Sequence, residues 1–358
     1  MSRYGTDPAP VDFELDLDAD GTPVQPLLVL PLDDWADESP ARIADTAALL
    51  SGSLRLTVGV LRGAAPPAVT PLLDALTLTL SDRPDVSRQI VTHPDPATAV
   101  QQLEQATRHN PRASVALGRL LRQTGVADTT VALSSEAAVY SMLLAGTEFR
   151  TWLRDRGGPR PVAFPDRPLV RFDRSGAELA LVLDHAERRN ALSARLREEL
   201  LEVLRLAELD SDIERVRISG AGPVFCSGGD LDEFGTATDV VAAYEVRLER
   251  APWRIIDRLR DRITVHIQGA CIGAGIEMAA FAGQLVAAPG TRFRLPEIGM
   301  GLVPGAGGTV SIPRRIGRWR AAWMMLTGDP IDTATALRWN LIDDIGTDSR
   351  AQALPRPI

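Results

Sequence analysis

Residues 269–308 read GACIGAGIEMAAFAGQLVAAPGTRFRLPEIGMGLVPGAGG, a stretch that sets two carboxylates, Glu277 and Glu297, beside three glycine-rich turns. The strand-like run Ile263 to Ile267 leads into it, and Gly273-Ala274-Gly275 then open an apolar helical run from Ile276 to Phe281. At such a strand-to-helix turn the first N–H groups have no partner inside the helix, so they are available to an oxygen carrying negative charge.

Upstream, Phe225-Cys226-Ser227-Gly228-Gly229-Asp230 forms a second turn of this kind after the strand-like Val216 to Ser219. Two such turns brought together aim two backbone N–H groups at one carbonyl oxygen, as in an oxyanion hole. Each turn alone also reads as ordinary glycine turn chemistry. The order of the pieces adds more. Asn190-Ala191-Leu192-Ser193, then FCSGGD, GAGIE, LPE and GLVPGAGG, resembles the crotonase (enoyl-CoA hydratase/isomerase) superfamily across residues 168–346. The resemblance implies an α/β fold, a ββα spiral core with a helical cover. It does not fix the reaction, because hydratases, isomerases, hydrolases, decarboxylases and a cofactor-free oxygenase share that fold.

With 358 residues and 45% hydrophobic content the chain has enough material for a sizeable core. Its net charge of -8 argues against nucleic acid as a partner, although the basic cluster Arg314, Arg315 and Arg318 is a local site for an anion. No apolar run reaches the length of a membrane span, and the acidic, polar N-terminus does not look like a signal peptide, so the sequence reads as cytoplasmic. Cys226 and Cys271 each sit in a crowded glycine turn, without the spacing of a zinc site.

In chain order, residues 1–92 read as a small α/β region. A loosely packed lead-in, 1–26, precedes a strand at Leu27–Leu30, a helix at Ala41–Leu50, and strands at Leu54–Leu61 and Leu76–Leu80. The pattern recurs from Leu179 onward, so this region reads either as a shortened copy of the crotonase beginning or as an unrelated small α/β unit. In place of FCSGGD it has Arg62-Gly63-Ala64-Ala65-Pro66-Pro67, whose prolines donate no N–H. Residues 93–158 are helical, with Asn110-Pro111 opening one helix and Gly146 stopping another. That run resembles the helices that usually end a crotonase chain. The expectation is therefore a displaced helical cover, a Gly/Pro-rich linker near 157–168, a catalytic core at 168–346 and a tail at 347–358. The resemblance also implies a homotrimer or a dimer of trimers.

By motif position, the N–H groups of Ser227 and Ala274 are the expected oxyanion donors, stabilising the charge that builds on a thioester oxygen. Glu277 lies one helical turn after Ala274, and Glu297 follows twenty residues later, the separation shown by hydratases of the family. Two carboxyls at one site suit hydration, which needs a base for water and an acid for the neighbouring carbon. Each also has a structural reading: a helix-dipole partner for Glu277, and a salt bridge to Arg292 or Arg294 for Glu297. Arg188, Arg189, Asn190, Leu192, Gly229, Asp230 and Gly273 match the segments that line the coenzyme A groove. The arginines read equally well as solvated surface residues, and Asp230 as a turn former.

His266 stands in a strand that is usually all apolar, and reads as a buried, hydrogen-bonded side chain. Gly283 replaces a usual Asp. Tyr244 and the Trp-containing helix Pro252–Leu259 are candidates for the acyl pocket or for core packing. The resulting expectation is an acyl-CoA thioester hydratase or dehydratase that binds coenzyme A only as part of its substrate. The alternatives are an enoyl-CoA isomerase, a cofactor-free arylacetyl-CoA oxygenase, or a degenerate acyl-CoA-binding scaffold subunit.

Overall fold

The computed structural model describes residues 12–346, so residues 1–11 and the expected tail 347–358 lie outside it. An antiparallel ribbon, β1 (Asp16–Leu17) and β2 (Pro23–Val24), comes first. It corrects the expected loose lead-in for the part described. The Asp18 carboxylate accepts from the Thr22 amide within the turn, and the Arg112 guanidinium donates to Asp20 O and Thr22 Oγ1, both at 2.9 Å.

Next comes a parallel sheet of β3 (Leu27–Pro31), β4 (Leu56–Leu61), β5 (Leu78–Ser81) and β6 (Ile90–Thr92), paired in that order. Helices α1 (Pro40–Gly52) and α2 (Thr70–Ala75) connect the first three strands. Ser39 caps α1 by accepting from Arg42 N, with Pro40 in the first helical position. β4 is buried along almost its whole length, which is why LTVGVL shows no polar alternation.

The cover is α3 (Pro96–His109), α4 (Pro111–Thr124), α5 (Thr129–Leu144) and α6 (Thr147–Arg156). Asp95 caps α3 through Ala97 N and Thr98 N, and Gly157, at φ 89°, ends α6 in the left-handed conformation. Pro111 opens α4 as expected, yet Asn110 does not cap with its side chain. Its Nδ2 instead donates to Ile298 O at 2.6 Å, across to the second half of the chain. Leu103, Leu117 and Leu121 share one buried apolar cluster with Leu295, Ile298 and Val310. The cover thus packs on the core of its own chain.

The core begins with the antiparallel pair β7 (Val170–Ser175) and β8 (Glu178–Leu183), then α7 (Ala194–Leu209), β9 (Arg215–Gly220), α8 (Val240–Glu249) and α9 (Pro252–Arg258). The spiral follows: β10 (Ile263–Ile267), β11 (Ala270–Ile272), α10 (Ala274–Ala279), β12 (Gln284–Ala287) and β13 (Arg292–Arg294). α11 (Gly308–Ile316), α12 (Arg318–Thr327), β14 (Ile331–Asp332), α13 (Thr333–Arg338) and β15 (Asp344–Ile345) complete it. The larger sheet runs β15-β12-β10-β9-β8-β7 and the smaller one β11-β13-β14, so from β10 to β13 successive strands alternate between two sheets. Gly269 makes one such switch at φ 66°, where a Cβ would lie 2.0 Å from Pro223 O. Only glycine fits there.

Strands β8-β9-β10-β12 are parallel neighbours in the same order as β3-β4-β5-β6. The two sheets are joined through arginines of α12. Arg318 donates to the Leu76 and Asp74 carbonyls at the end of α2, and buried Arg320 to Ser87 O at 3.0 Å. Among the described residues no helix is long and apolar enough to cross a membrane.

Because apolar packing joins cover and core, a protease nick between Gly157 and Pro168 is expected to leave both fragments together on size exclusion, separating only in denaturant. Separation in native buffer would show that the shared cluster is too weak to hold them.

Candidate active site

The two glycine turns do meet. Cys226 and Cys271 pair side by side in parallel, with Ile272 N donating to Cys226 O at 3.0 Å. A Cβ on Gly275 would sit 2.8 Å from the Cys226 Cβ, so glycine permits the approach. Ala274 is the first residue of α10, and its N–H therefore has no carbonyl within the helix. Gly229 faces Leu192, whose N–H and C=O bond to Gly228 O and Asp230 N. In a parallel bridge that pattern turns the amide of Gly229 itself the other way. Gly229 and Ala274 both line a cavity of about 230 Å³, together with Glu277, Glu297, Tyr140 and Trp253.

Ser227 is a correction. Its N–H donates to Arg189 O at 3.1 Å and Ser227 is not on the cavity wall, so the donor expected there is engaged elsewhere. The motif was read two residues early. Arg188 is another correction: its guanidinium forms a fork with Asp230, at 3.0 and 2.6 Å, and reaches Asp232 at 2.8 Å. This paired charge is not free for a phosphate. Asn190 is buried and holds the turn, donating to Ala221 O and Val224 O and accepting from His185 N. Arg189 is exposed, and Leu192 and Asp230 line the cavity. Gly273 is backbone room: a Cβ there would lie 2.6 Å from Glu297 Oε1.

The carboxylates come together as expected. Glu277, 2% exposed, accepts from Ala306 N at 2.7 Å and Gly308 N at 3.0 Å through Oε2. It thus caps the start of α11 rather than its own helix. Glu297 opens a 3-10 turn, Glu297–Met300, and its buried Oε2 has no hydrogen-bond partner among the described residues. The alternative structural reading, an ion pair with Arg292 or Arg294, is not formed among the described residues, and Arg294 Nε donates to Gly328 O instead.

A third carboxylate escaped the sequence reading. Glu136 of α5, also 2% exposed, accepts from Gly307 N at 2.6 Å, Thr309 N at 2.8 Å and Thr309 Oγ1 at 2.7 Å. It is the only charged residue in Thr129–Leu144, a signal that was available. Burial pushes it up to about 7 against the three hydrogen bonds that favour its charge. Burial likewise raises Glu297 to about 8. It raises Glu277 well above the carboxylate range, with the neighbouring Glu297 and Glu136 charges adding to it.

Trp253 lines the cavity, whereas the Tyr244 hydroxyl pairs with Ser134 Oγ at 2.8 Å and ties α8 to α5. Tyr140, Arg247 and Arg197, also on the wall, were not singled out from sequence. His266 lies half-buried in β10, away from this cavity. Gly283 has its reason in packing, since a Cβ would meet Arg260 O at 2.5 Å. The basic cluster is committed internally: Arg315 to the Ala280 and Ala282 carbonyls and Asp343, Arg318 to α2, and Arg314 to Asp257.

A two-sheet spiral that joins two helix-start turns and buried glutamates at one cavity defines the crotonase class of fold. The enoyl-CoA hydratase/isomerase family pattern matches residues 175–353, and the chain belongs to that family. It is 32% identical over 188 residues to an enoyl-CoA isomerase/hydratase of Mycosarcoma maydis, covering 49% of this chain and 69% of that one. To the 2,3-dehydroadipyl-CoA hydratase of Escherichia coli it is 32% identical over 167 residues, covering 47% of this chain and 65% of that one. The solved enoyl-CoA hydratase of Mycobacterium smegmatis aligns over 52% of this chain and 73% of its own, at 26% identity and a TM-score of 0.48.

The buried carboxyls set a pH dependence of stability. Glu297 rises from 4.5 to about 8, so between those values the folded state keeps a proton that the unfolded chain has released. The stability that Glu297 contributes is then greatest below 4.5 and falls as pH rises toward 8, by at most about 1.4 kcal/mol per pH unit. Urea unfolding at pH 5, 6, 7 and 8 is expected to show a flatter decline for Glu297→Gln than for wild type; equal slopes would show that Glu297 is not the group responsible.

Proposed function

We propose that this chain catalyses the addition of water to, or its removal from, the carbon pair next to a coenzyme A thioester. The observation that carries the reading is the pair of buried Glu277 and half-buried Glu297 on one cavity wall with the start of α10 and Gly229. In this reading the N–H groups of Ala274 and Gly229 hold the thioester oxygen as it gains enolate charge. Carboxyls crowded into one buried site do not all ionise together. One charged and one protonated glutamate is the state that hydration uses, a base for water and an acid for the adjacent carbon.

The ligand assignment follows from family membership and from what its relatives are named for, with no other bound cofactor required by the mechanism. The exposed Arg189 is the cation we assign to the coenzyme A phosphates, in place of Arg188. Residues 93–158 act as the displaced cover, and the working assembly is a homotrimer or a dimer of trimers. Incubation with short aliphatic and aryl enoyl-CoAs, following the mass gain of one water, tests the reaction directly.

Glu277→Gln and Glu297→Gln are each expected to lower kcat by about two to four orders of magnitude, with thioester affinity nearly unchanged. A double-bond isomerase needs a single base. If either variant keeps kcat within about fivefold of wild type, well short of the usual loss for a proton-transfer residue, the two-carboxylate hydratase reading fails.

A further inference from the structure

Four successive backbone amides divide between two carboxylates. Ala306 N and Gly308 N donate to Glu277, while Gly307 N and Thr309 N donate to Glu136. We propose that Glu136 is a positioning residue: from the helical cover it pulls on one side of the 306–309 loop, fixing the amides that set where the Glu277 carboxylate lies. The inference rests on the role given above to Glu277.

The geometry requires the loop to be held from both sides. Gly307 has φ 92°, and a Cβ there would meet the Phe281 ring at 2.3 Å, so at this position the loop is pressed against the core and is held only through its backbone. Glu277 holds two of its amides, and Glu136 holds the alternate two plus the Thr309 hydroxyl. Glu136 is not on the cavity wall, so it acts through the loop and not on a bound molecule. A buried carboxyl at the centre of an otherwise uncharged helix is costly unless its hydrogen bonds are made. The groups around it are Tyr140 on its own helix, Arg247 of α8 with its guanidinium 3.6 Å over the Tyr140 ring, Glu277 of α10, Glu297 and Thr309.

The test is Glu136→Gln in the full chain. Glutamine has one acceptor oxygen where the loop presents three donors, and its NH2 group faces a donor. The expected result is a kcat lower by about 10- to 100-fold, in line with a small displacement of a reacting group, at a thioester Kd within about twofold of wild type, as expected when only positioning is lost. The Glu297 carboxyl, followed by 13C NMR, is expected to titrate at lower pH, because a neighbouring negative charge is gone. A folded Glu136→Gln protein with wild-type kcat overturns the proposal. If that variant does not fold, Thr309→Val, which removes only the hydroxyl bond, is expected to lose kcat and Thr309→Ser to restore it; equal kcat in both overturns the proposal. If wild type hydrates no enoyl-CoA, the activity reading falls by itself. Amide exchange at Ala306 and Gly308 then decides the positioning claim: faster exchange in Glu136→Gln supports it, and unchanged exchange overturns it.

Discussion

Three carboxyl groups drawn close together, two of them buried under one loop and the third, Glu297, half-buried beside them, form the constraint on which the rest of this structure depends. Each would stay in water if it could, and each raises the cost of charging the others. The amides of Ala306 to Thr309 compensate two of them with hydrogen bonds, while Glu297 keeps one oxygen unpartnered. Such an arrangement is stable only if α5, α10, the 3-10 turn at Glu297 and the start of α11 are all held in place at once. Those elements come from both halves of the chain.

Close backbone approach is what holds them. A Cβ on Gly305 would lie 2.2 Å from the Tyr140 ring, and one on Gly301 would lie 2.6 Å from the Phe149 amide nitrogen. Cover and core therefore touch at core glycines, where an added side chain would collide with the cover. Asn110 and Thr124 add direct bonds from cover side chains to the Ile298 and Thr309 carbonyls. Arg318 and Arg320 do the same for the small parallel sheet, satisfying carbonyls that the ends of its own elements leave open.

Membership in the enoyl-CoA hydratase/isomerase family fixes the fold, but not the reaction, because the spiral accommodates several enolate chemistries. What this chain adds is local. Gly283 closes a contact that a larger side chain would break, Arg188 is absorbed by Asp230 and Asp232, and Glu136 reaches the site from a helix that precedes the core.

The sequence by itself determined much of this. Glycine turns after strands marked both helix starts, the helical period from 94 to 155 marked the cover, and Glu277 and Glu297 were legible because their motifs are local and ordered. Even the missed α2 is a single short helix between strands that were read correctly to within about two residues. Only the tertiary structure decided which amide faces the cavity. Ser227 and Gly229 lie two residues apart on one turn, and the choice between them depends on Arg189 and Leu192 from another element. It also decided the fate of the charged groups. Whether Arg188 is solvated or paired depends on a partner 42 residues away, and whether a glutamate on an apolar helix is a surface residue or a buried carboxyl depends on partners 171 and 173 residues away. Local propensity carries no information about such partners, because hydrogen bonding and burial are set by neighbours in space and not in sequence.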